Sequence, residues 1–180
     1  MTKIFSRTTI AFFAAGILLY LLYWISILNG PPGMQSEIHY IPEGFIGNVY
    51  IFHNIKNGEP RERENGNRIY NIPQSGILKT KFSPNVGVMQ NDDIVQFYYV
   101  DGSGKIKEKI PSYIFLANYD SINTKNYIGI FGYNIISSTI ERKDYSYLKY
   151  TVDTLSLFDK KHNNESQKDY QIIKYSIQHE

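Results

Sequence analysis

The sequence predicts an all-β protein, an antiparallel β-sandwich ectodomain preceded by one N-terminal transmembrane helix. Two observations carry that expectation. Ile10 to Leu28 runs nineteen residues without a charge, and from about Met34 the pattern changes to short β-rich runs parted by turn residues. No stretch beyond Met34 has the apolar stripe of an amphipathic helix.

The first element is IAFFAAGILLYLLYWISIL, Ile10 to Leu28. At about 1.5 Å per helical residue it reaches about 28 Å, close to the thickness of a bilayer's hydrocarbon core. Asn29, Gly30, Pro31, Pro32 and Gly33 stop it, because proline removes backbone donors and glycine tolerates non-helical angles. Tyr20, Tyr23 and Trp24 lie in its C-terminal half, as aromatics near a lipid-water boundary often do. Lys3 and Arg7 precede it and no basic residue follows until Lys56, so the N-terminus is expected in the cytoplasm and the rest outside it. The competing expectation is a cleaved signal peptide followed by secretion, but the exit SILNGPPG offers no A-x-A-like site. The expected organisation is residues 1–9 cytoplasmic, 10–28 in the membrane, 29–36 as linker and 37–180 as the extracytoplasmic sandwich.

The strands follow in order: Ile38 to Ile41, Ile46 to His53, Arg68 to Ile72, Gly76 to Phe82, Ile94 to Val100, Tyr127 to Tyr133, Tyr145 to Leu157 and Tyr170 to Ile177. Between them Asn57 and Gly58, Asn65 and Gly66, and Asp101 and Gly102 are pairs that accept positive φ. The polar stretch Lys160 to Lys168 is a further turn signal. The stretch IPEGFIGNVYIFHN, Ile41 to Asn54, begins with a proline that cannot donate to a ladder and a glycine that permits a sharp reversal, then alternates as a strand. IPQSGILKT, Ile72 to Thr80, repeats the device. Backbone geometry alone accounts for both.

These two stretches, with NGEP at Asn57 to Pro60 and ENGNR before the second, resemble an uncharacterised bacterial family of extracytoplasmic domains with an IPEGF-x-G-x-V start and an IP-x-S-G-x-L continuation. The matching positions are Pro42, Glu43, Gly44, Gly47, Pro73 and Gly76, within a likeness covering roughly Ile38 to Phe82 and weakening to Pro111. The rhythm is also similar to carboxypeptidase-regulatory-like and transthyretin-like β-sandwiches. The family resemblance implies a secreted or membrane-tethered β domain with no assigned activity; its motif residues are a fold signature.

Composition narrows the chemistry. The chain is 42% hydrophobic with sixteen tyrosines and ten phenylalanines, too rich in core-forming residues for disorder. Apart from Lys3 and Arg7 it holds seventeen basic and seventeen acidic side chains, a neutral balance that argues against a nucleic-acid partner. It has no cysteine, which removes disulfides, thiolate chemistry, cysteine zinc sites and a lipobox anchor. His39, His53, His162 and His179 form no H-x-H or H-x-x-x-H pair, and His53 reads as a strand residue with a hydrogen-bond partner. The one S-x-x-K, Ser146 to Lys149, lies in an alternating strand rather than at a helix start. DGSGK, Asp101 to Lys105, lacks the spacing of a phosphate loop and reads as a β-turn. Asp92 and Asp93 fall far short of a calcium site.

Two surface features remain. Lys56 to Arg68 is a polar excursion that interleaves Arg61, Arg63 and Arg68 with Glu59, Glu62 and Glu64, which reads as a solvated loop or as a place for an anionic glycan or lipid head group. Tyr98, Phe97 and Tyr99, with Tyr113, Phe115, Tyr119, Tyr127, Phe131, Tyr133, Tyr145, Tyr147 and Tyr150, supply either sheet packing or a ligand surface. The expectation is a non-catalytic binding or structural module of the bacterial envelope, without metal or cofactor. Its partners are the bilayer through residues 10–28 and an envelope protein or glycan. The rivals are an envelope hydrolase and a subunit paired through a strand edge.

Overall fold

The computed structural model describes residues 7–28, 33–87, 92–113, 127–140, 143–162, 171–172 and 174–175. Helix α1 is Arg7–Leu28, 22 residues of continuous helical backbone. Its described side chains are Phe12 and positions 15–24, and among the described residues no helix is long and apolar enough to cross a membrane. Every one of those described side chains is exposed.

After α1 come β1 (Glu37–Pro42), β2 (Gly47–Phe52), β3 (Glu62–Glu64), β4 (Asn67–Asn71), β5 (Ile77–Lys79), a single 3-10 turn at Asp92–Ile94, β6 (Val95–Val100), β7 (Ile106–Lys109), β8 (Ile128–Ile140) and β9 (Lys143–Thr154). Helix α2, Leu155–His162, follows at once. The strands form two sheets, one in the order β3-β4-β1-β6-β7 and the other β5-β2-β9-β8.

The expected antiparallel sandwich is corrected to a mixed one. β1 runs parallel to both β4 and β6, and β2 parallel to β5. The cause is the route of the chain. β2 lies in the second sheet between β1 and the β3–β4 hairpin, and β5 does the same between β4 and β6, so β1, β4 and β6 are joined through the other sheet rather than to one another by hairpins and lie parallel. Among the described residues hairpins join β3 to β4, β6 to β7 and β8 to β9, and these pairs are antiparallel. The β3–β4 turn is Asn65 and Gly66 at φ 50° and 85°, both left-handed as that two-residue connection demands.

The main core lies between the sheets, where Ile41, Tyr70, Phe97 and Tyr99 meet Val49, Ile51, Leu148, Tyr150 and Val152. β2 is buried on its other side too. Tyr50 and Phe52 pack with Ile55 and Tyr147 on the outer face of the second sheet, and Ile172 packs against them. This corrects the last expected strand, because residues 171, 172, 174 and 175 are helical; the remainder of Tyr170 to Ile177 lies outside the described residues. The expected strand Tyr145 to Leu157 likewise stops at Thr154, a residue type favoured as a helix N-cap. Leu155 and Phe158, three apart in α2, then cover Phe131, whose ring stacks 5.2 Å from Phe158. β3 and β7 were not expected; both are short and wholly exposed, so neither has an apolar pattern to read.

Candidate functional site: a basic rim above a buried carboxylate

In β1 burial alternates, which turns Glu37, His39 and Ile41 inward. Parallel register places Arg68, Glu37 and Val95 in one row and Tyr70, His39 and Phe97 in the next. His39 is therefore flanked by two rings, each with its centroid 4.8 Å away. Tyr133 and Tyr150 face it from the second sheet.

Glu37 is 1% exposed, so its carboxylate has lost nearly all of its water. Four donors replace it. Asn85 Nδ2 at 2.8 Å and the Tyr70 hydroxyl at 3.2 Å reach Oε1, while the Tyr133 hydroxyl at 2.7 Å and His39 Nε2 at 3.3 Å reach Oε2. His39 Nδ1 and the Tyr150 hydroxyl lie 3.2 Å apart, so both ring nitrogens have a partner. Burial pushes the Glu37 carboxyl up, but the His39 bond and charge together with the Tyr133 and Asn85 donors outweigh it and hold the group below its ordinary value. Burial raises the hydroxyls of Tyr70, Tyr133 and Tyr150, and the Glu37 charge raises them further, so they stay protonated donors. The cluster is closed to solvent and satisfied within itself, which makes it a device for fixing the sheet pairing.

Above Glu37 lies the near end of the sandwich, where the chain arrives from α1. Gln35 and Asn85 clasp one another through Gln35 N–H to Asn85 Oδ1 and Asn85 Nδ2 to the Gln35 carbonyl. Arg68 is 5% exposed and donates to Gln35 Oε1 at 2.9 Å and to the Ser83 carbonyl at 2.6 Å, with its guanidinium 5.0 Å over the Phe82 ring. Arg63 uses the same oxygen of Gln35 at 2.7 Å and the same ring at 5.6 Å.

The alternation Arg61-Glu62-Arg63-Glu64, expected as a solvated loop, continues as strand β3, and a strand sends neighbours to opposite faces. That sorts the charges. Glu62 accepts from Asn71 and Glu64 from the Tyr40 hydroxyl, on the outer side of the first sheet. Arg61 Nε donates to the Lys81 carbonyl. Asn54, Ile55, Lys56, Pro60, Arg61 and Lys81 line an open cleft of ≈ 480 Å³, with three cations and no acid. Asn54 holds φ 58°, a left-handed backbone uncommon outside glycine, and is pinned by its N–H to the Phe82 carbonyl. Below it His53 is 5% exposed, and its Nδ1 has no hydrogen-bond partner among the described residues, contrary to expectation. Burial lowers its pKa to about 4.

Of the residues singled out from sequence, Arg61 and Arg63 share the basic rim. Arg68 is corrected from a surface candidate to a buried one, consumed by Gln35, Ser83 and Phe82. Tyr98 lies apart on the outer face of the first sheet, its hydroxyl on Gln96 Oε1. Pro42, Glu43, Gly44 and Gly47 make the reversal from β1 to β2 at the far end, where Phe45 N–H bonds the Pro42 carbonyl and Gly44 holds φ 76°. Pro73 and Gly76 make the matching turn into β5; a Cβ on Gly76 would lie 2.5 Å from the Asn48 carbonyl oxygen. The serine and lysine of SYLK are three apart in β9 and so point to opposite faces, and Lys149 lies over the Tyr50 ring. Asp101 carries its turn by accepting from Ser103 and Lys105, which depresses its carboxyl far below the usual range. Phe115 and Tyr119 lie outside the described residues. Among the described residues no three metal-binding side chains converge.

The arrangement is a two-sheet β-sandwich domain with a basic rim. The chain belongs to DUF6843, a family of unknown function, which matches residues 33–157. Its fold is similar to a solved candidate lipoprotein from Bacillus anthracis, at TM-score 0.50 and 16% identity over 69% of this chain and 76% of that one. No curated protein matches. On these comparisons the chain is a β-rich domain of a family of unknown function, as the resemblance to an uncharacterised family implied.

Proposed function

We propose that the protein is a single-pass membrane protein whose sandwich lies outside the cytoplasm and serves as a binding or structural module of the bacterial envelope. Residues 1–9 are cytoplasmic, 10–28 cross the bilayer, 29–36 link, and the domain from 37 onward stands beyond it. The IPEGF-x-G-x-V and IP-x-S-G-x-L stretches serve as fold signatures rather than sites.

One observation carries this reading. α1 is a long apolar helix whose described side chains are all exposed, Phe12 at 79% and Leu19 at 68% among them. Apolar surface of that extent is stable in lipid and costly in water. The fold neighbour is named as a lipoprotein, and a lipid thioether needs a cysteine; this chain has none, so a helix is the anchor its own residues offer. Alkaline phosphatase joined after Glu180 should be active, and a reporter that works only in the cytoplasm silent. The reverse pattern would end the proposal. A second reading is favoured by β8, which is the edge of its sheet and thus able to receive a partner strand. Cross-linking from Asn134 should capture that partner if the edge is used.

A further inference from the structure

The cleft at the near end has features that the anchoring reading alone does not require. Lys56, Arg61 and Lys81 are exposed and converge on it, and none has an ion-pair partner among the described residues. Two of the three ion pairs seen, Lys107 with Asp101 and Lys109 with Asp93, tie down lysines elsewhere in the first sheet. The acids nearest in sequence are turned away. Glu59 and Glu62 line an adjoining pocket of ≈ 200 Å³ with Asn71 and Thr80, which meets the cleft at Pro60, and Glu64 bonds Tyr40. Arg63 extends the basic side, its guanidinium 5.6 Å over the Phe82 ring.

Position supplies the ligand. The chain leaves α1 at Leu28 and enters β1 at Glu37, and the eight residues between can span at most about 29 Å. Gln35, just before β1, bonds Arg63 and Arg68 directly, so the basic rim belongs to the end that the tether holds close to α1. Lys105, in the β6–β7 turn, is at the opposite end, beside the segment where Glu43 N–H bonds the Val100 carbonyl.

We propose that the rim of Lys56, Arg61, Arg63 and Lys81 docks on the phosphate groups of anionic phospholipids in the membrane that holds α1, seating the near end of the sandwich on the bilayer. The proposal rests on the anchoring reading. Cations within a Debye length of an anionic surface, about 8–10 Å at physiological salt, are attracted to it, and the short tether lets the rim come that close. Phosphate accepts from the arginine fork and the lysine ammonium alike.

The test places the full chain in lipid nanodiscs of either neutral or anionic phospholipid and measures modification of lysines by an amine-reactive reagent. In anionic discs at about 50 mM salt, Lys56 and Lys81 should react about fivefold more slowly than in neutral discs while Lys105 is unchanged, and about 500 mM salt should erase the difference. Arg61→Gln with Arg63→Gln should return at least half of the lost reactivity. Equal rates at Lys56 and Lys81 in both discs would overturn docking and leave anchoring intact. Failure of the chain to stay with either disc would overturn both. Equal protection in neutral discs by an added soluble polyanion would overturn the lipid as ligand and assign the rim to a free anionic polymer.

Discussion

At the far end of the sandwich the chain turns on prolines and glycines, whereas at the near end it is closed by buried charge. Gly44, Gly47, Gly76 and Gly104 all hold positive φ at far-end turns, and each turn is made by residues close in sequence. The near end joins Gln35, Glu37, Arg68, Asn85 and Tyr133, which only tertiary pairing brings together. Local chemistry builds one end and long-range complementarity the other, so the two should fail differently.

The largest effect is expected at the near end. Glu37→Ala leaves the Tyr70, Tyr133, Asn85 and His39 donors buried without their acceptor, and urea unfolding should show a loss of about 3–5 kcal/mol. A loss under about 1 kcal/mol would mean that the cluster is not what closes this end. At the far end Gly76→Ala combines a left-handed backbone at φ 72° with a clash against Asn48 and Phe45, and should cost about 2–3 kcal/mol. Gly104→Ala, at φ 81° with open space around it, should cost only about 1 kcal/mol, which separates strain from crowding.

Acid sharpens the comparison. His53 has a folded pKa of about 4 against an ordinary 6.5, so the unfolded chain takes up the proton first and stability is lost as pH falls from 6.5 to 4. That term amounts to at most about 3 kcal/mol, and His53→Gln should flatten the urea-midpoint slope over that interval. Glu37, also lowered, adds a loss that begins below its ordinary 4.5, because its contribution is present above that value and disappears as the folded carboxylate protonates. A slope unchanged in the His53 variant would show that this ring does not titrate as a buried neutral group. The smallest effect belongs to the rim, where Arg61→Gln should change stability by less than about 0.5 kcal/mol.

This division also explains what the sequence made legible. The reversals at Pro42 to Gly47 and Pro73 to Gly76, the hairpin at Asn65 and Gly66, and the β-rich segments were readable because turn chemistry and period-two alternation are local. The parallel pairing was not, since nothing in a strand's own residues records which sheet the intervening strand joins. Glu37 and His39 could have been noticed as polar residues two apart in a strand, hence on one face; their partners at 70, 85, 133 and 150 could not. Arg61 and Arg63 were named, but their separation from Glu62 and Glu64 depends on reading RERE as a strand, and no apolar residue marks it as one. The C-terminal residues show the opposite failure, where Tyr and Ile alternation suggested a strand and residues packing on an already formed sheet became helical instead.

Because the chain has no cysteine, single introduced thiols report position without background. Ser103→Cys, in the exposed far-end turn, treated in intact cells with a membrane-impermeant thiol reagent, tests the placement of the whole domain most directly. Labelling in intact cells at the rate seen after lysis is the predicted result; labelling only after lysis would contradict it.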